Sequence, residues 1–81
     1  MQVNQLSQNA TELIFENKYL LISYKTPVAL FDVRTGEYLV TEKFWSKTTS
    51  RRINTWLDGN IGYKVAQSLL DEIYAKIGAI L

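Results

Sequence analysis

Short runs rich in apolar, aromatic and β-branched residues occupy the first half of the chain and predict β-strands. Residues 11–16 alternate, and the runs 19–24, 28–33 and 38–42 follow them. Asn17 suits the first turn because Asn tolerates a positive φ, and Gly36 suits the last turn for the same reason. Pro27 belongs at the start of the third run, since it has no N–H to donate. We therefore predict a four-stranded antiparallel β-meander.

The period becomes helical after residue 43. A hydroxyl of Thr48, Thr49 or Ser50 can cap a short helix, in which Ile53 and Trp56 recur at helical spacing. Gly59 stands where a glycine commonly follows a helix end.

A second, longer helix is predicted from about residue 61 to the C-terminus. Its apolar arc is wider than the ~100° that a helix needs to dock on one partner. The arc contains Tyr63, Ala66, Leu69, Leu70, Ile73, Tyr74, Ile77, Ile80 and Leu81. The fold class is thus α+β: the meander, a short helix and a longer amphipathic C-terminal helix.

These elements predict a single domain over residues 11–81, preceded by a flexible arm. The arm, residues 1–10, is rich in Gln and Asn and has no clear period. Apolar residues lie on both faces of the predicted strands, more than one helix can cover, so we expect a homodimer. Alternatively, the 44–57 segment folds back over the second face.

The composition excludes several kinds of chemistry but does not identify a function. The chain has 81 residues, no Cys and no His, and a net charge of +1. It thus lacks the commonest general base and metal ligand, and no Ser-x-x-Lys pattern or glycine-rich phosphate loop occurs. We expect a binding protein rather than an enzyme, with no cofactor, no metal and no membrane partner. No targeting or membrane-spanning pattern is present, which favours a cytoplasmic location.

One segment, residues 43–52, concentrates the candidate binding chemistry. Four of the nine Lys and Arg residues fall within it. Hydroxyls at a helix N-terminus with nearby cations can hold an anion, and aromatic side chains can stack on unpaired bases. The candidate polyanion-binding residues are Lys43, Lys47, Arg51, Arg52, Phe44, Trp45, Thr48, Thr49 and Ser50.

A plainer interpretation of this segment stays open. The hydroxyls would only cap the helix, Arg52 would stack on Trp56, and the cations would form a solvated face. The strand tyrosines pose a similar choice. Tyr19, Tyr24 and Tyr38 would make either a stacking platform for single-stranded RNA or half-buried core residues, and the missing basic glycine–aromatic signature favours the core.

Two motifs resemble a family of small uncharacterised proteins of phages and plasmids. The first is Ser23-Tyr24-Lys25-Thr26-Pro27-Val28-Ala29, similar to a Ser-Tyr-x-Thr-x-Val-Ala strand. The second lies within residues 45–54 and is similar to an aromatic residue followed by Ser-x-Thr-Thr-Ser-(Arg/Lys)-His-Ile-Asn, with Arg52 where those relatives carry His. The resemblance covers roughly residues 12–57 and implies a mobile-element origin and a small sheet-plus-helix module, without a settled function.

Three functional hypotheses follow. The first is a non-enzymatic module that binds nucleic acid or another polyanion through the 43–52 segment. The second is a phage-type inhibitor that binds a host protein, such as a defence nuclease. The third is a structural oligomer without a ligand.

Overall fold

The computed structural model describes residues 1–80, with side chains as far as Gly78. This part of the chain forms one six-stranded sheet and two helices. The elements are β1 (Gln2–Ser7), β2 (Ala10–Phe15), β3 (Lys18–Ser23), β4 (Thr26–Asp32), β5 (Glu37–Thr41), α1 (Lys47–Leu57), β6 (Gly62–Val65) and α2 (Gln67–Ile80). Leu81 and the side chain of Ile80, both assigned to the apolar arc of the second helix, lie outside the described residues.

The strands lie side by side in the order in which they occur in the sequence. Neighbours from β1 to β5 pair antiparallel, whereas β6 runs parallel to β5. The predicted meander corresponds to β2–β5, with every boundary within two residues of its predicted position. The α+β class is confirmed.

The prediction of four strands is an undercount, because both edge strands were missed. Residues 1–10 were expected to form an arm, but they contain β1, which pairs with β2 so that Val3 lies opposite Leu13. An edge strand is held by backbone hydrogen bonds on one side, so polar side chains on both faces do not prevent it.

The second edge strand, β6, occupies residues assigned to the start of the second helix. That helix begins at Gln67, and Tyr63 belongs to β6, opposite Leu39 of β5. A parallel pairing of this kind needs a crossover, which α1 provides.

The turns follow the predicted positions with one difference. In the first hairpin the positive φ falls on Glu16, at 54°, and not on Asn17. Gly36 (φ 74°) occupies the last turn, and α1 ends as predicted, with Asp58 left-handed and Gly59 at φ 86°.

Each face of the sheet is covered by one helix. On the first face, Leu20 and Leu30 pack with Leu70 and Ile77 of α2. On the second face, a cluster of Leu21, Val28, Ala29 and Val40 packs against Ile53, Trp56 and Leu57 of α1. An irregularity in the β3–β4 register beside Leu21 lets the consecutive residues Val28 and Ala29 join the same cluster.

The helix α1 on the second face weakens the reason for expecting a homodimer. The 44–57 segment does fold back over the second face, through α1, and covers much of the apolar surface from which a homodimer was expected. The homodimer stays a prediction. Neither α1 nor α2, as far as the structure describes them, is long and apolar enough to cross a membrane.

Candidate functional site

The N-terminus of α1 is capped by Ser46. Its Oγ accepts a hydrogen bond from the backbone N–H of Thr49 at 3.1 Å, and its backbone is extended, with φ −167°. The cap therefore lies before Thr48, Thr49 and Ser50, among which it was predicted. Thr48 and Ser50 are half-buried within the first turns of the helix.

Thr49 lies in the interior, away from any ligand that approaches from solvent. It is 4% exposed, and its Oγ1 is 2.9 Å from the Oγ of the buried Ser23 on β3. Thr49 was predicted as a polyanion-binding residue, but the structure does not place it with the exposed residues of that set, because its hydroxyl joins α1 to the sheet.

Arg52 is half-buried and already has partners in the fold. Its Nη1 donates to the backbone carbonyl of Asn9 at 3.1 Å and lies 3.5 Å from the Oγ of Ser23. The guanidinium carbon is 5.2 Å from the ring centre of Tyr24, so the stacking partner is Tyr24 and not Trp56. Arg52 therefore attaches α1 to the β1–β2 turn and to the β3–β4 turn.

The remaining predicted residues are exposed, and together we call them the basic–aromatic surface: Lys43, Phe44, Trp45, Lys47 and Arg51. The side chains of Phe44 and Trp45 are 69% and 41% exposed. The Nζ of Lys43 is 4.1 Å from the ring centre of Trp45, a cation–π distance. Lys47 and Arg51 are one helical turn apart on α1, which places them on the same side of the helix.

Two open cavities adjoin this surface. One, of about 350 Å³, lies between α1 and the β5–β6 edge and is lined in part by Lys43, Phe44 and Lys64. The other, of about 410 Å³, has Leu6 and Leu21 in its lining, with Arg51 and Arg52 beside them. Cationic side chains line both cavities, and the first cavity also has the carboxylate of Glu42 in its lining.

Gln67, at the start of α2, holds Trp45 in place. Its Oε1 accepts from Trp45 Nε1 at 3.1 Å and from Thr41 Oγ1 at 2.6 Å. Its Nε2 donates to the Pro27 carbonyl at 2.7 Å and to Asp71 Oδ1 at 3.0 Å. Sequence reasoning missed this residue, because a lone Gln on a helix carries no signal for contacts with three separate elements.

A row of aromatic side chains crosses the second face of the sheet beyond the end of α1. Tyr19, Phe31 and Tyr38 are register partners on β3, β4 and β5. Phe31 stacks on Tyr38 at 4.3 Å between ring centres, and Tyr19 meets Phe31 edge-on at 6.0 Å. Trp56 of α1 stands at 78° to Tyr38. The three-tyrosine platform is not assembled, since Tyr24 lies in the β3–β4 turn and Phe31, unassigned from sequence, takes the central position.

Among the residues that the structure describes, no group of three or more Asp, Glu, His or Cys side chains is placed to hold a metal ion.

Comparisons with known proteins identify one family. No curated protein and no solved structure matches the chain. A family model described as a family of unknown function, DUF8033, matches residues 1–72, from β1 into the second turn of α2. The chain therefore belongs to the DUF8033 family.

Proposed function

We propose that this protein is a small non-enzymatic module that binds nucleic acid or another polyanion through its exposed basic–aromatic surface. The observation that carries the proposal is the placement of Lys43 Nζ 4.1 Å from the ring centre of the exposed Trp45, next to the more exposed Phe44. A charged amine and a partly exposed aromatic ring thus lie together at the surface.

The chemistry of this surface suits single-stranded nucleic acid. Lys and Arg attract phosphates and release counterions, while aromatic side chains stack on bases without regard to sequence. Lys47 and Arg51 add two further cationic side chains along α1. The hydrogen bond from Trp45 to Gln67 holds the indole ring in place, which lowers the entropic cost of ordering it on binding. The resemblance of the 12–57 region to phage and plasmid proteins supports a mobile-element origin for the module.

A salt titration tests the proposal. Single-stranded DNA, duplex DNA and RNA oligonucleotides are titrated with the protein at several salt concentrations. If three cations contact phosphates, the logarithm of the binding constant falls with the logarithm of salt with a slope of about −2 for single strands. Salt-insensitive binding, or none to any of the three nucleic acids, contradicts the proposal.

Variants locate the surface. We expect Lys47→Ala/Arg51→Ala to flatten the salt slope by about 1 to 2, and Trp45→Ala to weaken binding by about 1 to 3 kcal/mol through lost stacking. Arg34→Ala/Lys76→Ala is the matched control, because it removes the same charge from exposed positions in the β4–β5 turn and on α2. Equal losses in the two double variants would point to a net-charge effect without a defined site.

A second candidate function is a phage-type inhibitor that binds a host protein such as a defence nuclease. It is favoured by exposed apolar side chains that the fold leaves uncovered, above all Ile61 at 77% and Phe44 at 69%. A single host protein captured in stoichiometric amount would support it if nuclease treatment leaves the complex intact and Ile61→Ser abolishes it. Loss of the captured protein on nuclease treatment would instead indicate that nucleic acid bridges the two proteins.

A further inference from the structure

Four aromatic side chains and one carboxylate line a single open cavity on the second face of the sheet. The lining consists of Glu12, Tyr19, Phe31, Tyr38 and Trp56, and the cavity measures about 260 Å³. It lies beside the C-terminal end of α1, where Trp56 and Leu57 are the last residues of the helix that pack on the second face. All five side chains are half-buried, which leaves part of each accessible from solvent.

The rings make a corner and not a flat sheet of aromatic side chains. Phe31 and Tyr38 are stacked, with 30° between their planes, and form one wall. Trp56 stands nearly perpendicular to Tyr38, at 5.5 Å between ring centres, and forms the second wall. The cavity is therefore bounded by aromatic rings on more than one side, as are the aromatic cages that hold alkylated ammonium groups.

Glu12 adds a negative charge with a fixed orientation. Its Oε2 accepts from Trp56 Nε1 at 2.7 Å, and its Oε1 accepts from Asn4 Nδ2 at 3.3 Å. Both donors are neutral, so these two bonds orient the carboxylate without cancelling its charge. A carboxylate has about four acceptor positions, and capacity for a cation therefore remains.

We infer that this cavity binds the methylated ammonium group of a small organic cation. Electron-rich ring faces and an uncancelled carboxylate both attract a positive charge, and the apolar ring surface suits methyl groups better than a hydrated amine. The volume is below the ~300 Å³ at which ordinary ligand pockets begin, which fits a head group and not a large ligand. The same carboxylate repels phosphates, so this site is separate from the proposed polyanion surface.

An NMR titration with choline tests the inference. The reporter is the indole N–H of Trp56, which donates to Glu12 inside the site, and the indole N–H of Trp45 is an internal control outside it. Choline chloride replaces sodium chloride mole for mole, so that ionic strength stays constant. We expect a saturable shift of the Trp56 resonance, an unmoved Trp45 resonance, and binding at least about tenfold weaker for the neutral isostere in which carbon replaces nitrogen.

Two variants separate charge from shape. Glu12→Gln keeps an acceptor for Trp56 but removes the charge, and we expect choline to bind about tenfold more weakly. Glu72→Gln is the matched control, since it removes a carboxylate from the exposed side of α2, and we expect no change. Phe31→Leu keeps apolar bulk without a ring, and a loss of about threefold to tenfold is expected.

Three outcomes would overturn the inference. They are no saturation up to about 50 mM choline, equal binding of choline and its neutral isostere, and equal effects of Glu12→Gln and Glu72→Gln. Circular dichroism checks whether each variant is folded. If Glu12→Gln does not fold, the comparison of choline with its neutral isostere and the Phe31→Leu variant test the inference. Since Lys47→Ala/Arg51→Ala is expected to leave choline binding unchanged, failure here is distinguishable from failure of the polyanion proposal.

Discussion

The hydroxyls of Ser23 and Thr49 lie 2.9 Å apart in the interior, joining the end of β3 to the first turn of α1. Both residues are almost fully buried, at 2% and 4% exposure. Ser23 is also approached by Arg52 Nη1 at 3.5 Å, so this bond belongs to a small polar network under the helix. Thr49 therefore contributes to the attachment of α1 and not to a surface for ligands.

Thr49→Val is expected to lower the free energy of unfolding by about 1 to 2 kcal/mol, because it leaves the buried Ser23 hydroxyl with a weaker partner. Urea denaturation measures the change. Thr55→Val is the control, as it makes the same chemical change at an exposed position of the same helix. Equal losses from the two substitutions would show that the buried bond adds nothing.

Ser46→Ala is expected to destabilise the protein by about 1 kcal/mol, because it removes the side-chain acceptor for the N–H of Thr49. Ser50→Ala, at a position predicted from sequence as a possible cap, should be neutral or stabilise by a few tenths of a kcal/mol, since Ala is the better helix former. Thermal unfolding of both variants distinguishes the two positions. A larger loss from Ser50→Ala would contradict the cap that the structure assigns.

Substitutions at two glycines are expected to have opposite signs. A Cβ on Gly62 would lie 2.8 Å from Val40 Cγ1 and 3.3 Å from Leu57 Cδ1, so Gly62→Ala should cost about 1 to 3 kcal/mol. A Cβ on Gly78, within α2, meets nothing within 4 Å, and Gly78→Ala should stabilise by about 0.5 to 1 kcal/mol. Chemical denaturation tests both, and stabilisation by Gly62→Ala would contradict the close approach of Gly62 to Val40 and Leu57.

Gln67→Ala is expected to lower the free energy of unfolding by about 2 kcal/mol, because the Pro27 carbonyl and the Thr41 hydroxyl, both on buried residues, each lose a partner. The indole N–H resonance of Trp45 should move towards its value in an unfolded chain. Gln8→Ala, at an exposed turn residue, is the control. An unchanged Trp45 resonance would mean that Gln67 does not position this ring.

The four central strands are predictable because each is a short run rich in apolar, aromatic and β-branched residues, and Gly36 and Pro27 mark two of the boundaries. β1 is not predictable in this way, since Gln2, Asn4 and Gln5 are polar on both faces and pairing with β2 supplies what propensity lacks. β6 could not be predicted for another reason. Tyr63 and Val65 fit a helical arc as well as a strand, and periodicity alone cannot distinguish helix from strand in a short apolar run.

The candidate site also has a part that could be predicted from the sequence and a part that could not. Composition and helical spacing predicted Lys43, Phe44, Trp45, Lys47 and Arg51 as binding residues, and all five are exposed. The roles of Thr49 and Arg52 depend on partners 26 and 43 residues away in sequence, Ser23 and Asn9 respectively, and no local pattern encodes those distances. The aromatic corner depends equally on the β3–β4–β5 register, which sets Phe31 between two tyrosines.

The parallel pairing of β5 with β6 also predicts an order of assembly. Short hairpins connect the strands β1 to β5, whereas the segment that contains α1 separates β6 from β5 in the sequence. Local pairings close at small entropic cost and form early, and the crossover forms later. Until β6 and α2 arrive, the edge of β5 and the face that carries Leu20 and Leu30 stay bare. We therefore expect this protein to be most prone to aggregation as a half-assembled meander, before β6 and α2 are in place.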